Sequence, residues 1–62
     1  MSKTVAISCL MQYRNLAHNI VVDCRAEIQI NGEDYEIRQV LLNALHEQAM
    51  FEELLRDLGV EI

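Results

Sequence analysis

The predicted fold depends on the run IVVDCRAEIQI, which extends from Ile20 to Ile30. Its even-numbered positions are all apolar, and most positions between them are polar or charged. Alternation over this length is typical of a β-strand with one buried face. The stretch from Val5 to Tyr13 is apolar at every odd position, although Ala6 and Leu10 interrupt the pattern. Two strands are therefore predicted.

The two predicted strands form an antiparallel hairpin if residues 15–18 are its loop. This register sets Tyr13 opposite Ile20 and Cys9 opposite Cys24, with every facing pair apolar and on one side. A slip of one residue would place apolar side chains opposite polar ones, so the hydrophobic pattern specifies the register.

A turn and a change of period follow the hairpin. The pair Asn31-Gly32 favours a tight turn because it readily adopts positive φ, and residues 35–38 alternate as a short third strand. From about Gln39 to Leu58 the apolar residues follow a helical period, and Gly59 is a plausible C′ residue with Val60 packing back. The prediction is an α+β domain: a three-stranded antiparallel meander, then one helix on its apolar face (βββα). The alternative is a β-hairpin and a longer helix starting near Asp34.

Composition limits the class of protein. The chain of 62 residues is 52% hydrophobic and has a net charge of −5, which predicts one small folded domain over residues 1–62. Binding to nucleic acid or to an anionic membrane needs clustered cations, and the sequence has none. No apolar run is long enough for a transmembrane helix, and the first residues do not resemble a signal peptide. We expect a cytoplasmic protein with reduced cysteines.

The predicted helix has more apolar surface than a small sheet can cover. Its apolar arc is roughly 240° wide, about twice what packing on one sheet requires. We therefore predict a surface that binds another protein or a second copy of the chain, with the i,i+4 pair Glu52 and Arg56 at its rim. The predicted interface consists of Leu42, Leu45, Ala49, Met50, Glu52 and Arg56.

The sequence offers no clear catalytic, cofactor or metal site. Cys9 and Cys24 would face each other in the hairpin, so a redox pair is one hypothesis, although two reduced core residues are the simpler interpretation. Zinc binding by these cysteines with His18 and His46 matches no usual ligand spacing. We expect no enzyme activity and no cofactor.

Two functions follow from these patterns. The first is a non-enzymatic interaction protein, homodimeric and cytoplasmic, that acts on another, unidentified protein as an inhibitor, adaptor or assembly factor. By analogy, small acidic proteins of this kind suit phage or prophage accessory roles. The alternative is an acidic mimic of nucleic acid that blocks a nucleic-acid-binding protein, or a small redox or metal-binding protein that uses Cys9 and Cys24. The mimic would be formed by Asp23, Glu27, Glu33 and Glu36 on the outer face of the sheet, where Arg25 and Arg38 weaken the mimicry.

Overall fold

The computed structural model describes residues 2–62 as two antiparallel α-helices joined by a three-residue turn. The first helix, α1, extends over Lys3–Asn31, and the second, α2, over Tyr35–Asp57. These residues include no strand, so the predicted βββα fold is wrong. The alternative fold is wrong in its hairpin as well, although the second helix does begin after Asp34.

Helix α1 replaces both strands of the predicted hairpin. Its 29 residues contain neither glycine nor proline, so nothing in the chain interrupts the helix. Ser2 caps it, because the Ser2 hydroxyl oxygen accepts a hydrogen bond from the Val5 amide at 3.2 Å. Ala6 and Leu10, which interrupt the strand pattern, are half-buried in the helix. Residues 15–18, predicted as a loop, lie in its middle.

The turn at residues 32–34 stops one helix and starts the next. Gly32 has φ 84° and ψ 168°, a conformation that is almost restricted to glycine, and its amide donates to the Ile28 carbonyl. Two residues later Asp34 caps α2 by accepting a hydrogen bond from the Ile37 amide at 2.9 Å. The predicted chain reversal at Asn31-Gly32 is confirmed, but it joins two helices.

Helix α2 ends as the sequence predicts. The Val60 amide donates to the Leu55 carbonyl and the Gly59 amide to the Arg56 carbonyl, which is the Schellman arrangement with Gly59 at C′. Gly59 has φ 89°, and Val60 is half-buried against the last turn. The prediction that Gly59 stops the helix is confirmed.

The helices meet along a seam in which residues recur at alternating intervals of four and three. This seven-residue repeat is typical of helices packed side by side over several turns. All fourteen seam residues are buried or half-buried. On α1 they are Ile7, Leu10, Arg14, Ala17, Val21, Cys24 and Ile28, and on α2 they are Ile37, Leu41, Ala44, Gln48, Phe51, Leu55 and Leu58.

The core along this seam is thin. Of the described residues only five are buried, all of them apolar: Ala17, Val21, Cys24, Ala44 and Leu55. The molecule measures 43 × 19 × 13 Å, so it is one helix thick in its shortest dimension. Its radius of gyration is 13.7 Å, against about 11 Å for a compact domain of this length. A single hairpin therefore lacks the second layer that encloses the core of most domains.

Candidate interaction surfaces

A polar cluster crosses the seam and fixes the register of the two helices. The Arg14 guanidinium donates to a Glu52 carboxylate oxygen through Nε at 3.0 Å, and its Nη2 lies 2.9 Å from the same oxygen. The Gln48 amide nitrogen also approaches that oxygen, at 3.5 Å, and the Gln48 amide oxygen contacts His18 Nδ1 at 3.2 Å. Since that amide oxygen only accepts, the contact requires a proton on Nδ1. In this register Val21 lies level with Ala44 and Leu10 with Leu55.

One broad side of the hairpin carries a contiguous apolar surface, which we call the Tyr13 face. On α1 this surface includes the Tyr13 ring. The ring stacks on Phe51 with a centroid distance of 5.7 Å and an interplanar angle of 29°. Its α1 members recur at intervals of three and four residues, as expected for one side of a helix. The Tyr13 face consists of Cys9, Tyr13, Leu16 and Ile20 on α1 and Met50 and Leu54 on α2.

The Tyr13 face is largely open to solvent. Tyr13 is 55% exposed, Leu16 60% and Ile20 41%, and across the seam Met50 is 42% and Leu54 43% exposed. Single exposed leucines are ordinary on protein surfaces, but five large apolar side chains on one side of a small molecule are not. The face is therefore a candidate binding surface.

Acidic residues border the Tyr13 face. Five acids lie seven or fourteen residues from one of its members and so project from the same broad side: Asp23, Glu27, Glu36, Glu47 and Asp57. Three of them, Asp23, Glu27 and Glu36, belong to the half of the hairpin near the turn, where they lie beside the exposed apolar residues Ile30 and Val40. The first turn of α1, at the opposite end, has no acidic residue and begins at Lys3.

The opposite broad side carries all four arginines of the chain, and we call it the arginine side. Arg14 reaches Glu52 there, and Arg25, Arg38 and Arg56 lie seven or fourteen residues from other members of that side. Arg38 contacts Glu33 only at 3.9 Å, with both side chains at least half exposed. A chain with a net charge of −5 thus has its arginines on one side and half of its ten acids on the other.

The structure divides the predicted interface between the two sides. Leu42, Leu45, Ala49, Glu52 and Arg56 follow one stripe of α2 on the arginine side, whereas Met50 belongs to the Tyr13 face. Leu42 is 48% exposed, and Leu45 is half-buried. Glu52 binds Arg14, and within residues 2–62 it forms no ion pair with Arg56; the position of these two residues at the rim of an interface stays a prediction.

Sequence reasoning missed most of the Tyr13 face. Tyr13 and Ile20 were expected inside a sheet and Leu54 in the helix stripe that covers it. The signal that could have found the face is the spacing of Cys9, Tyr13, Leu16 and Ile20, which repeats at three and four residues in parallel with the seam.

The structure separates the groups proposed for redox chemistry and for mimicry. Cys9 and Cys24 lie on the same helix, about 22 Å apart along its axis, so they cannot form a disulfide within one chain. Both are free thiols. Within residues 2–62 no three His, Cys, Asp or Glu side chains are grouped as metal ligands. The sheet that would display Asp23, Glu27, Glu33 and Glu36 is absent from these residues, and Arg25 and Arg38 lie on the other broad side from Asp23 and Glu27.

The fold and its surfaces define a class: an all-helical hairpin with one apolar, acid-bordered side and one arginine-bearing side. Comparison of the chain with family models, with curated proteins and with solved structures finds no match in any of the three. Neither helix of the described chain has the length and apolar character needed to cross a membrane.

Proposed function

We propose that this chain is a non-enzymatic, cytoplasmic protein–protein interaction module that dimerises through its Tyr13 face and acts by binding another protein. The observation that carries the proposal is an exposed apolar surface on a hairpin only one helix thick. Packing two such hairpins face to face produces a four-helix bundle with a closed core.

The accessible surface supports a second copy as the occupant of the Tyr13 face. The chain exposes 4673 Å², about 550 Å² more than the roughly 4,100 Å² of a compact monomer of this mass. This excess approaches the roughly 800 Å² that each partner buries in an interface of standard size. A second hairpin supplies the missing layer without requiring any other component.

Charge favours one orientation of the two copies. With both turns at the same end, Asp23, Glu27 and Glu36 of one copy would meet the same acids of the other. With the turns at opposite ends, these like acids are separated, and Glu27 of one copy lies close to the first α1 turn of the other, where Lys3 and the positive end of the α1 dipole are located. The proposed dimer therefore has its turns at opposite ends and Leu16 near the two-fold axis.

Sedimentation equilibrium tests this dimer with the variant Leu16→Glu. Leu16 is exposed and outside the seam, so the substitution leaves the hairpin intact but buries a carboxylate in the proposed interface. We expect the wild type to dimerise and the dissociation constant of Leu16→Glu to be at least about a hundredfold higher.

Gln12→Glu is the matched control, because Gln12 is exposed on the outer edge of α1 and the charge change is the same. We expect it to dimerise like the wild type, with circular dichroism showing equal helix content in all three proteins. A wild-type chain that stays monomeric at about 1 mM would overturn the proposed dimer.

A further inference from the structure

We propose that the arginine side binds an acidic amphipathic helix of a partner protein. This inference rests on the proposed function in taking the chain as an interaction module, and it names the chemistry of the partner. In the proposed dimer the Tyr13 faces are covered, and the two arginine sides point outward as two equivalent surfaces.

The arginine side has an apolar centre. Leu42, Leu45 and Ala49 recur on α2 at intervals of three and four residues, and Val22 lies on α1 level with Leu42. Leu42 is 48% and Val22 50% exposed. A helix laid along the groove between α1 and α2 could pack its apolar residues at the same spacing against this strip.

Arginines lie beyond both ends of the apolar strip. Arg25 and Arg38 are at its turn end, on α1 and α2 at nearly the same level, and Arg56 is at its other end. Between Arg56 and the Arg25–Arg38 pair the surface extends about 25 Å, the length of a helix of roughly 17 residues. Arg25 and Arg38 carry like charges at nearly the same level, so a carboxylate bound between them would offset their repulsion.

The negative charge of the whole chain does not cancel this local attraction. Asp23, Glu27, Glu47 and Asp57 project from the opposite broad side, and the hairpin is 13 Å thick there. At physiological ionic strength charges are screened over about 8 Å, so these acids act weakly across the molecule. Arg14 is already bound to Glu52, and Arg38 has only an exposed 3.9 Å contact with Glu33, so Arg25, Arg38 and Arg56 can bind carboxylates of the partner.

An acidic helix fits this surface better than a nucleic acid does. Phosphate binding uses a run of cations along a backbone, whereas the three arginines here flank an apolar strip that includes exposed Leu42 and Val22. A bound polyanion would leave the apolar strip without an apolar partner, whereas an amphipathic helix would cover it.

Fluorescence anisotropy with a labelled synthetic peptide tests the inference. The probe is a peptide of about 17 residues with leucines at i, i+4 and i+7 in its middle and glutamates in its first and last turns. A peptide of the same composition in scrambled order is its control. We expect the probe to bind with one peptide per hairpin and at least about tenfold more tightly than the scrambled peptide.

Three variants locate the contact. The triple variant Arg25→Gln, Arg38→Gln, Arg56→Gln should weaken binding at least about tenfold, and Leu45→Glu should weaken it similarly. Gln12→Glu is the matched control for the charge change of Leu45→Glu, because Gln12 is exposed on the outer edge of α1, and it should change binding less than about twofold. Circular dichroism checks that each variant keeps its helices.

Several results would overturn the inference. The first is absence of probe binding at about 1 mM, and the second is equal binding of the scrambled peptide. The third is that a single-stranded oligonucleotide binds more tightly than the probe and that the triple variant abolishes this oligonucleotide binding. Loss of probe binding in Leu16→Glu would place the peptide on the Tyr13 face and overturn it as well. A wild type that binds the probe as a monomer would contradict the proposed dimer and leave this inference standing.

Discussion

Arg14 occupies a seam position at which an apolar side chain would add to the core. Its guanidinium instead bonds Glu52, and Gln48, the next polar seam residue, links Glu52 to His18. A polar group in an otherwise apolar seam favours the one register in which its partners can be reached. Arg14 therefore contributes more to the alignment of α1 against α2 than to the burial of apolar surface.

A double-mutant cycle on Arg14 and Glu52 measures this contribution. The two side chains are only 26% and 22% exposed, so solvent screens the pair partly. We expect Arg14→Ala and Glu52→Ala to show a coupling free energy of about 1 kcal/mol in urea unfolding.

The chain contains its own control for this cycle. Arg38 and Glu33 are 3.9 Å apart and 62% and 50% exposed, so their coupling should stay below about 0.5 kcal/mol. Equal coupling for the two pairs would show that the Arg14–Glu52 pair has no special role in the register.

Helix α1 shows why its stretch of sequence resembles strands. The seam and the Tyr13 face are both apolar and lie side by side on one helix. From Ile20 to Ile30 the alternate apolar residues come from different sides of the helix: Ile20 from the Tyr13 face, Cys24 and Ile28 from the seam, and Val22 from the arginine side. Valine and isoleucine favour strands, but packing along a seam can override that preference. Arg14 lies in the middle of the α1 seam, and because it is charged it makes the seven-residue repeat of apolar residues harder to recognise in the sequence.

Parts of the architecture were predictable from local chemistry. Asn31-Gly32 and Gly59 mark real boundaries, because both glycines have positive φ, a conformation that favours glycine where a chain reverses or a helix ends. The uninterrupted run of helix-compatible residues before Asn31 was the signal against a hairpin loop at residues 15–18. The candidate surfaces were predictable only in part, since the arginine side and the Tyr13 face depend on which residues the seam takes up.

The two glycines at the helix ends should respond differently to asparagine. Gly32 combines φ 84° with ψ 168°, where neither alanine nor asparagine is comfortable, so both substitutions should cost about 1–3 kcal/mol. Gly59 sits at C′ of a Schellman arrangement, where asparagine is tolerated. We expect Gly59→Asn to cost less than Gly59→Ala, which should cost about 1 kcal/mol.

Urea unfolding of the four variants tests this difference. A Cβ at Gly32 would meet nothing within 4 Å, so steric overlap with other residues does not confound the comparison. If Gly32→Asn were as stable as the wild type, the conformation assigned to Gly32 would be contradicted.

At the scale of the whole molecule, the two broad sides differ in both polarity and charge. The Tyr13 face is bordered by acids, and the arginine side holds the chain's arginines. The proposed dimer would cover the first face and leave the second free, so self-association and binding of the proposed partner would not compete for the same surface. This division of surfaces is what the proposed function and the proposed partner have in common.

The orientation of the proposed dimer is measurable with a spin label in the turn. A nitroxide at Glu33→Cys, with Cys9→Ser and Cys24→Ala, reports the distance between the two turns by electron double resonance. A dimer with its turns at opposite ends should give a distance of about 40–50 Å between the two labels, because each turn lies roughly 17 residues from an axis near Leu16. A distance below about 25 Å would show both turns at the same end and contradict the charge argument.

The seven-residue repeat along the seam also makes this hairpin adjustable in length. Residues 18–24 and 41–47 form one complete repeat on each helix and lie at the same level. Duplicating both segments would add about 10 Å of rod without rotating any later residue away from its side. If only one segment were duplicated, the added residues would have no residues at the same level on the opposite helix to pack against. The length of a hairpin built this way can therefore change in fixed steps while its end caps and turn stay the same.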